Sequence, residues 1–222
     1  MNYTISINPL ADFSIASDAK RRSIIQNQKK PDTFKVSWYQ LARARMKSTL
    51  AKKGDVTPIL EGINQLKAKI PTKPRQINDR QVSLEAMERF LHMKLPNVLN
   101  GINYEVIKTE SKSIKIKGVE VIVSPDIIIK AIIDDVTYVG AVKIHISKSN
   151  VFDNNQLRFI ASTIYMYLDE VFDNEEYVVM PELCLAIDIF GSRIVNAPRI
   201  IDSEINNIEV ICQEVKDVWS KV

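Results

Sequence analysis

The apolar run from Leu183 to Phe190 constrains this chain more than any other stretch. Its length suits a strand, and it is apolar without alternation, so both of its faces need burial. A strand of that kind lies inside a sheet with helices packed on either side. The neighbouring sequence supplies the parts. Ser83 to about Leu95 has helical periodicity and stops at Pro96. Tyr104–Lys108, Ser113–Lys117, Val119–Lys130 and Val136–Ser147 are rich in β-branched residues, with turns at Lys117-Gly118 and Asp134-Asp135. Asp153 or Asn154 caps a helix with the apolar stripe Leu157, Ile160, Ala161, Ile164, Tyr165 and Leu168. A last helix from about Ser203 places Ile208, Ile211, Val215 and Val222 on one stripe, with Val218 or Trp219. Helix, strands, helix, strand predicts an α/β fold, a mixed central sheet with flanking helices.

Ahead of this lies a different kind of sequence. Residues 1–80 hold 16 Lys and Arg against 6 Asp and Glu, whereas residues 81–222 hold 14 against 21. The chain's net charge of +3 therefore conceals a basic first third. Between Ala19 and Gly54, Asp32 is the sole acid among eleven bases. Pro31-Asp32-Thr33 reads as a turn. Val36 to about Lys53 follows as a basic amphipathic helix, with Trp38, Leu41, Ala42, Met46 and Leu50 on its apolar side. Its polar surface carries Arg43, Arg45, Lys47, Lys52 and Lys53, the expected nucleic-acid contacts. The same block also suits docking on the acidic half of the chain. A second helix runs from Ile59 to about Ile70, and Pro71-Thr72-Lys73-Pro74-Arg75 reads as a linker. These features predict a basic, mainly helical region over 1–78 and an α/β core over 79–222.

Six glycines argue against glycine-rich phosphate loops, and no Walker-type loop or Cys/His zinc spacing is present. No apolar stretch is long enough to span a bilayer, and the first 30 residues lack a signal-peptide core, so a cytoplasmic protein without membrane contact is expected. Cys184 and Cys212 both lie in apolar runs and read as buried free thiols.

The chemistry-bearing residues cluster around two segments. Ser124-Pro125-Asp126 puts a carboxylate directly after a proline. In Val139–His145, alternation sets Val139, Ala141, Lys143 and His145 on one strand face. Hydrolysis of a phosphodiester needs a divalent metal held by carboxylates, with a cation to position the attacking water. Asp126 and Lys143 are candidates for those roles. Glu88 lies beside Leu84 and Leu95 on the first core helix, where a carboxylate wants a partner or a metal. Gln156 opens the helix after the lysine strand, positioned to meet a phosphate or a water.

This pattern resembles the PD-(D/E)xK, restriction-endonuclease-like nuclease superfamily over roughly residues 83–190. The resemblance implies a nucleic-acid-processing fold, with DNA favoured over RNA. It assigns Mg²⁺ to Asp126 and Glu88, water positioning to Lys143, and support to Gln156. The chain departs from the pattern at one position. Reading Lys143 as the family lysine leaves Ala141 in place of the second acid. Shifting by two puts Lys143 in the acid's place and His145 in the lysine's. Neither register supplies the carboxylate, and a replacement would come from Asp134, Asp135 or Glu120. Cleavage is thus disfavoured, and the alternative is a non-catalytic scaffold or interaction subunit, with protein partners, of a DNA-processing or defence assembly.

Overall fold

The computed structural model describes residues 2–30, 38–173 and 176–222. The turn expected at Pro31-Asp32-Thr33 and the helix start expected at Val36 lie outside the described residues. The described elements are β1 (Tyr3–Ser6), α1 (Ile7–Ile15), α2 (Asp18–Lys29), α3 (Gln40–Ala51), α4 (Thr57–Ala68), α5 (Pro74–His92), α6 (Asn97–Gly101), β2 (Tyr104–Ile107), β3 (Ser113–Ile116), β4 (Val119–Ile122), β5 (Ile127–Ile133), β6 (Val136–His145), α7 (Asn154–Val171), β7 (Val178–Asp188), β8 (Arg193–Asn196) and α8 (Asp202–Trp219).

The fold is mixed α/β. A five-stranded sheet runs in the order β2-β5-β6-β7-β8, and a three-stranded sheet in the order β1-β4-β3. In the large sheet β5 pairs antiparallel with both β2 and β6. Helix α7 then carries the chain across to β7, which pairs parallel to β6. Both faces of this sheet are covered. On one, Ile128, Ala141, Cys184 and Ala186 pack with α1, α2, α7, α8 and the small sheet. On the other, Ile127, Ile129, Val142, Ile144, Leu185 and Ile187 pack with α3, α4 and α5. Two-sided burial is why Leu183–Ile187 of β7 are apolar without alternation.

Local sequence explains much of this. Lys117-Gly118 and Asp134-Asp135 all have positive φ, the condition for two-residue hairpins whose twist matches their strands. Asp153 accepts from the Gln156 N–H at 2.8 Å, while the Gln156 side chain accepts from the Asp153 N–H, a reciprocal cap that starts α7. Gly140 sits at a shift in the β6–β7 register, and a Cβ there would lie 2.2 Å from Leu183 Cβ. The two strands approach too closely for any side chain at that position.

Two expectations are corrected. The strand expected over Val119–Lys130 is two strands in different sheets, because Pro125 cannot donate to a ladder and Ser124 turns the chain at φ 39°. Pro74, expected in a linker, is at the start of α5, where its missing N–H costs nothing and its fixed φ suits a helix. α5 therefore begins well before Ser83, and residue 78 lies inside it. Residues 2–30, inside the region expected to be mainly helical, form β1, α1 and α2 and pack against α7 and α8. The basic first third is thus divided: its first helices cover one face of the sheet, and α3 and α4 cover the other. Cys184 and Cys212 are buried and free. Burial pushes the Cys212 thiol up to about 12 and raises that of Cys184 as well. Among the described residues no helix is long and apolar enough to cross a membrane.

Candidate functional site

The C-terminal end of β6 organises the polar interior. Asp126 sits just before β5, whose first residue pairs with Val142. Its own N–H bonds the Val142 carbonyl at 2.8 Å. Its carboxylate, on a side chain 6% exposed, accepts from the Ile144 N–H at 2.8 Å. Arg43 reaches across from α3 and places one guanidinium nitrogen 3.1 and 3.0 Å from the two carboxylate oxygens. The same nitrogen donates to the Ile144 carbonyl at 2.8 Å. Arg43, expected on the nucleic-acid surface, is therefore the counter-ion of the motif aspartate.

Lys143 lies close by on β6. Its ammonium donates to the carbonyls of Val123 and Ser124, at 2.9 and 2.6 Å. Those are the residues of the tight corner that carries the chain from β4 to Asp126. Burial pushes the Lys143 amine down to about 8, opposed by the Asp126 charge and assisted by Arg43 and Lys47. The proline-aspartate corner and the lysine are thus brought together, but the lysine is tied to backbone oxygens.

The other expected residues lie elsewhere. Glu88 is exposed on α5, whose buried residues are Ser83, Ala86, Met87 and Phe90. The apolar stripe is turned by about one residue from Leu84, Met87, Leu91 and Leu95, and this swings Glu88 outward. It lines a separate groove with Glu85, Arg89 and His92. Gln156 is spent on the α7 cap and on Asp12, to which it donates at 3.2 Å. His145 stacks on Phe152 with ring centroids 3.6 Å apart. Its Nε2 donates to the Asn150 carbonyl at 2.7 Å, which leaves Nδ1 to accept from the Asn8 amide at 3.3 Å. Burial lowers its pKa.

Sequence reasoning missed Asp188. It is fully buried at the end of β7, opposite His145, with one carboxylate oxygen 3.8 Å from His145 Nε2. It accepts from the N–H groups of Phe152 and Gly191. The available signal was a single acid inside an otherwise apolar run.

Of the remaining bases on α3 and beyond, Arg45 pairs with Glu61, Lys52 with Asp55, and Lys53 bonds Asn103. Lys47 instead borders a groove of about 600 Å³ together with Lys108, Lys112, Thr109, Ser111, Tyr167 and Asp126. Asp126 is the one carboxylate among the described residues lining it. Mg²⁺ does not suit this arrangement. It requires several oxygen ligands, but both Asp126 oxygens are engaged by Arg43, one of them also by Ile144. Among the described residues no three His, Cys, Asp or Glu groups converge into a metal site. No family model matches the chain, and no curated protein matches it in sequence.

Proposed function

We propose that this chain is a nuclease-like protein of PD-(D/E)xK type that binds nucleic acid, DNA in preference to RNA, and does not cleave it by the metal-dependent route. The observation that carries this reading is the Arg43 guanidinium on Asp126 at the edge of a lysine-lined groove. An arginine paired with the motif aspartate neutralises the one acid in the groove, and Lys47, Lys108 and Lys112 then meet phosphates without a repelling carboxylate. The order α5, β2, β5, β6, α7, β7, with the proline-aspartate corner beside the lysine strand, supports the fold assignment.

The test is a pair of assays. Duplex binding followed by fluorescence anisotropy should weaken with salt at a log–log slope near −3, as expected for about three phosphate contacts. The slope should fall when Lys47, Lys108 and Lys112 are changed together to Gln. Incubation of plasmid with Mg²⁺ or Mn²⁺ should give no more cutting by the wild type than by Asp126→Ala or Lys143→Ala. Cutting that depends on both residues would overturn the non-catalytic reading, and salt-insensitive or absent binding would overturn the groove.

A further inference from the structure

We infer that the chain carries a second nucleic-acid contact, a single-strand site in which an unpaired base stacks on Trp38 and its flanking phosphates lie on Lys69 and Lys73. Trp38 was expected on the apolar side of the α3 helix. The structure places it ahead of α3, in a turn where Tyr39 takes positive φ, and leaves it 42% exposed. An exposed tryptophan is costly to leave in water, so its surroundings matter. It forms one wall of a groove of about 260 Å³ whose lining includes Leu66, Lys69, Lys73, Arg75 and Asp79. That volume is below the range of drug-sized pockets and suits a single planar ring.

The charges around the groove divide into two sets. Asp79 is turned to structural use, accepting from the Tyr39 N–H at 3.0 Å and the Ser83 hydroxyl at 3.4 Å. Arg80 donates to the carbonyls of Leu66 and Lys67 and closes the end of α4. Lys69 and Lys73 are exposed, and the Arg75 guanidinium lies 5.7 Å from the Trp38 ring centroid. An aromatic face bordered by cations is the combination that holds single strands. Every base has a π-face to stack, and the cations follow the phosphates whatever the sequence. A duplex keeps its bases stacked inside and has none to offer Trp38. The site thus differs in ligand from the groove at Asp126, and it rests on the preceding reading only for the class of ligand.

Trp38 and Trp219 are the chain's two tryptophans, and Trp219 is 7% exposed. In the full chain carrying Trp219→Phe, Trp38 is therefore the sole indole reporter. Titration with an oligothymidine of roughly 12 nucleotides should quench its emission to saturation. The midpoint should weaken about tenfold or more in Lys69→Glu/Lys73→Glu. It should stay within about twofold when Lys47, Lys108 and Lys112 are changed to Gln. Absence of quenching would overturn the proposal, as would an unmoved midpoint in Lys69→Glu/Lys73→Glu. Equal quenching by polyglutamate would also overturn it and assign the groove to an acidic protein. Anisotropy of a labelled oligothymidine with Trp38→Ala gives the same reading without Trp219→Phe, and there unchanged affinity overturns the site. Quenching that persists when duplex binding is absent leaves this site standing and removes the groove at Asp126.

Discussion

Two aspartates flank the end of β6, and the protein buries each in a different way. Asp126 is neutralised by a guanidinium from another layer of the fold, and Arg43 remains 35% exposed at its side chain. Asp188 is fully buried and held mainly by two backbone N–H groups, with His145 at 3.8 Å. Backbone donors such as the Phe152 and Gly191 N–H groups cost no side-chain entropy to position. The Arg43 guanidinium is a long side chain that must be ordered on Asp126 and the Ile144 carbonyl. The Asp188 arrangement is therefore part of the fold's foundation, whereas the Asp126 pair can be altered while the fold persists.

The largest expected effect follows from that contrast. Asp188→Ala strands the buried Phe152 N–H and the part-buried Gly191 N–H and should cost about 3 kcal/mol in urea unfolding. Arg43→Met leaves Asp126 buried without its counter-ion and should cost about 2 kcal/mol. The double variant Arg43→Met/Asp126→Asn should recover much of that loss. If Arg43→Met proved the costlier of the first two, the comparison would be reversed.

The two titratable neighbours on β6 sharpen it further. Lys143 has its folded pKa near 8, below the ordinary lysine value. The unfolded chain therefore binds more protons between about pH 8 and 10.4, and stability rises with pH through that window. Unfolding at pH 7 and pH 10 should show wild type gaining about 1–2 kcal/mol relative to Lys143→Met. A constant difference would remove burial as the cause. Burial lowers the pKa of His145 as well, so its contribution is present above about pH 6.5 and is lost as pH falls below that value. His145→Gln should lessen the loss of stability between pH 7 and pH 5. An identical acid limb would show that the histidine is not what titrates.

Local rules foresaw several of these elements. The turns at Lys117-Gly118 and Asp134-Asp135 were legible because hairpins need positive φ at those residues. The start of α7 was legible in Asp153, and the double burial of Leu183–Ile187 in β7 in their apolarity. The division of Val119–Lys130 was harder to see, since β-branched residues suit either sheet equally well. Glu88 was misplaced because a helix's buried stripe, rotated by one residue, moves a border position from core to solvent.

The site divides in the same way. Alternation along β6 put Ala141, Lys143 and His145 on a single face, and that spacing fixes the missing second carboxylate whatever the packing. No local rule could place Arg43 on Asp126, 83 residues away, or Asp188 beside His145. Dihedral preferences and apolar periodicity act over a few residues, and they decide strands, turns and caps. Which charge neutralises a buried carboxylate is decided only when layers distant in sequence close over it, because burial makes an unpaired charge too costly to keep.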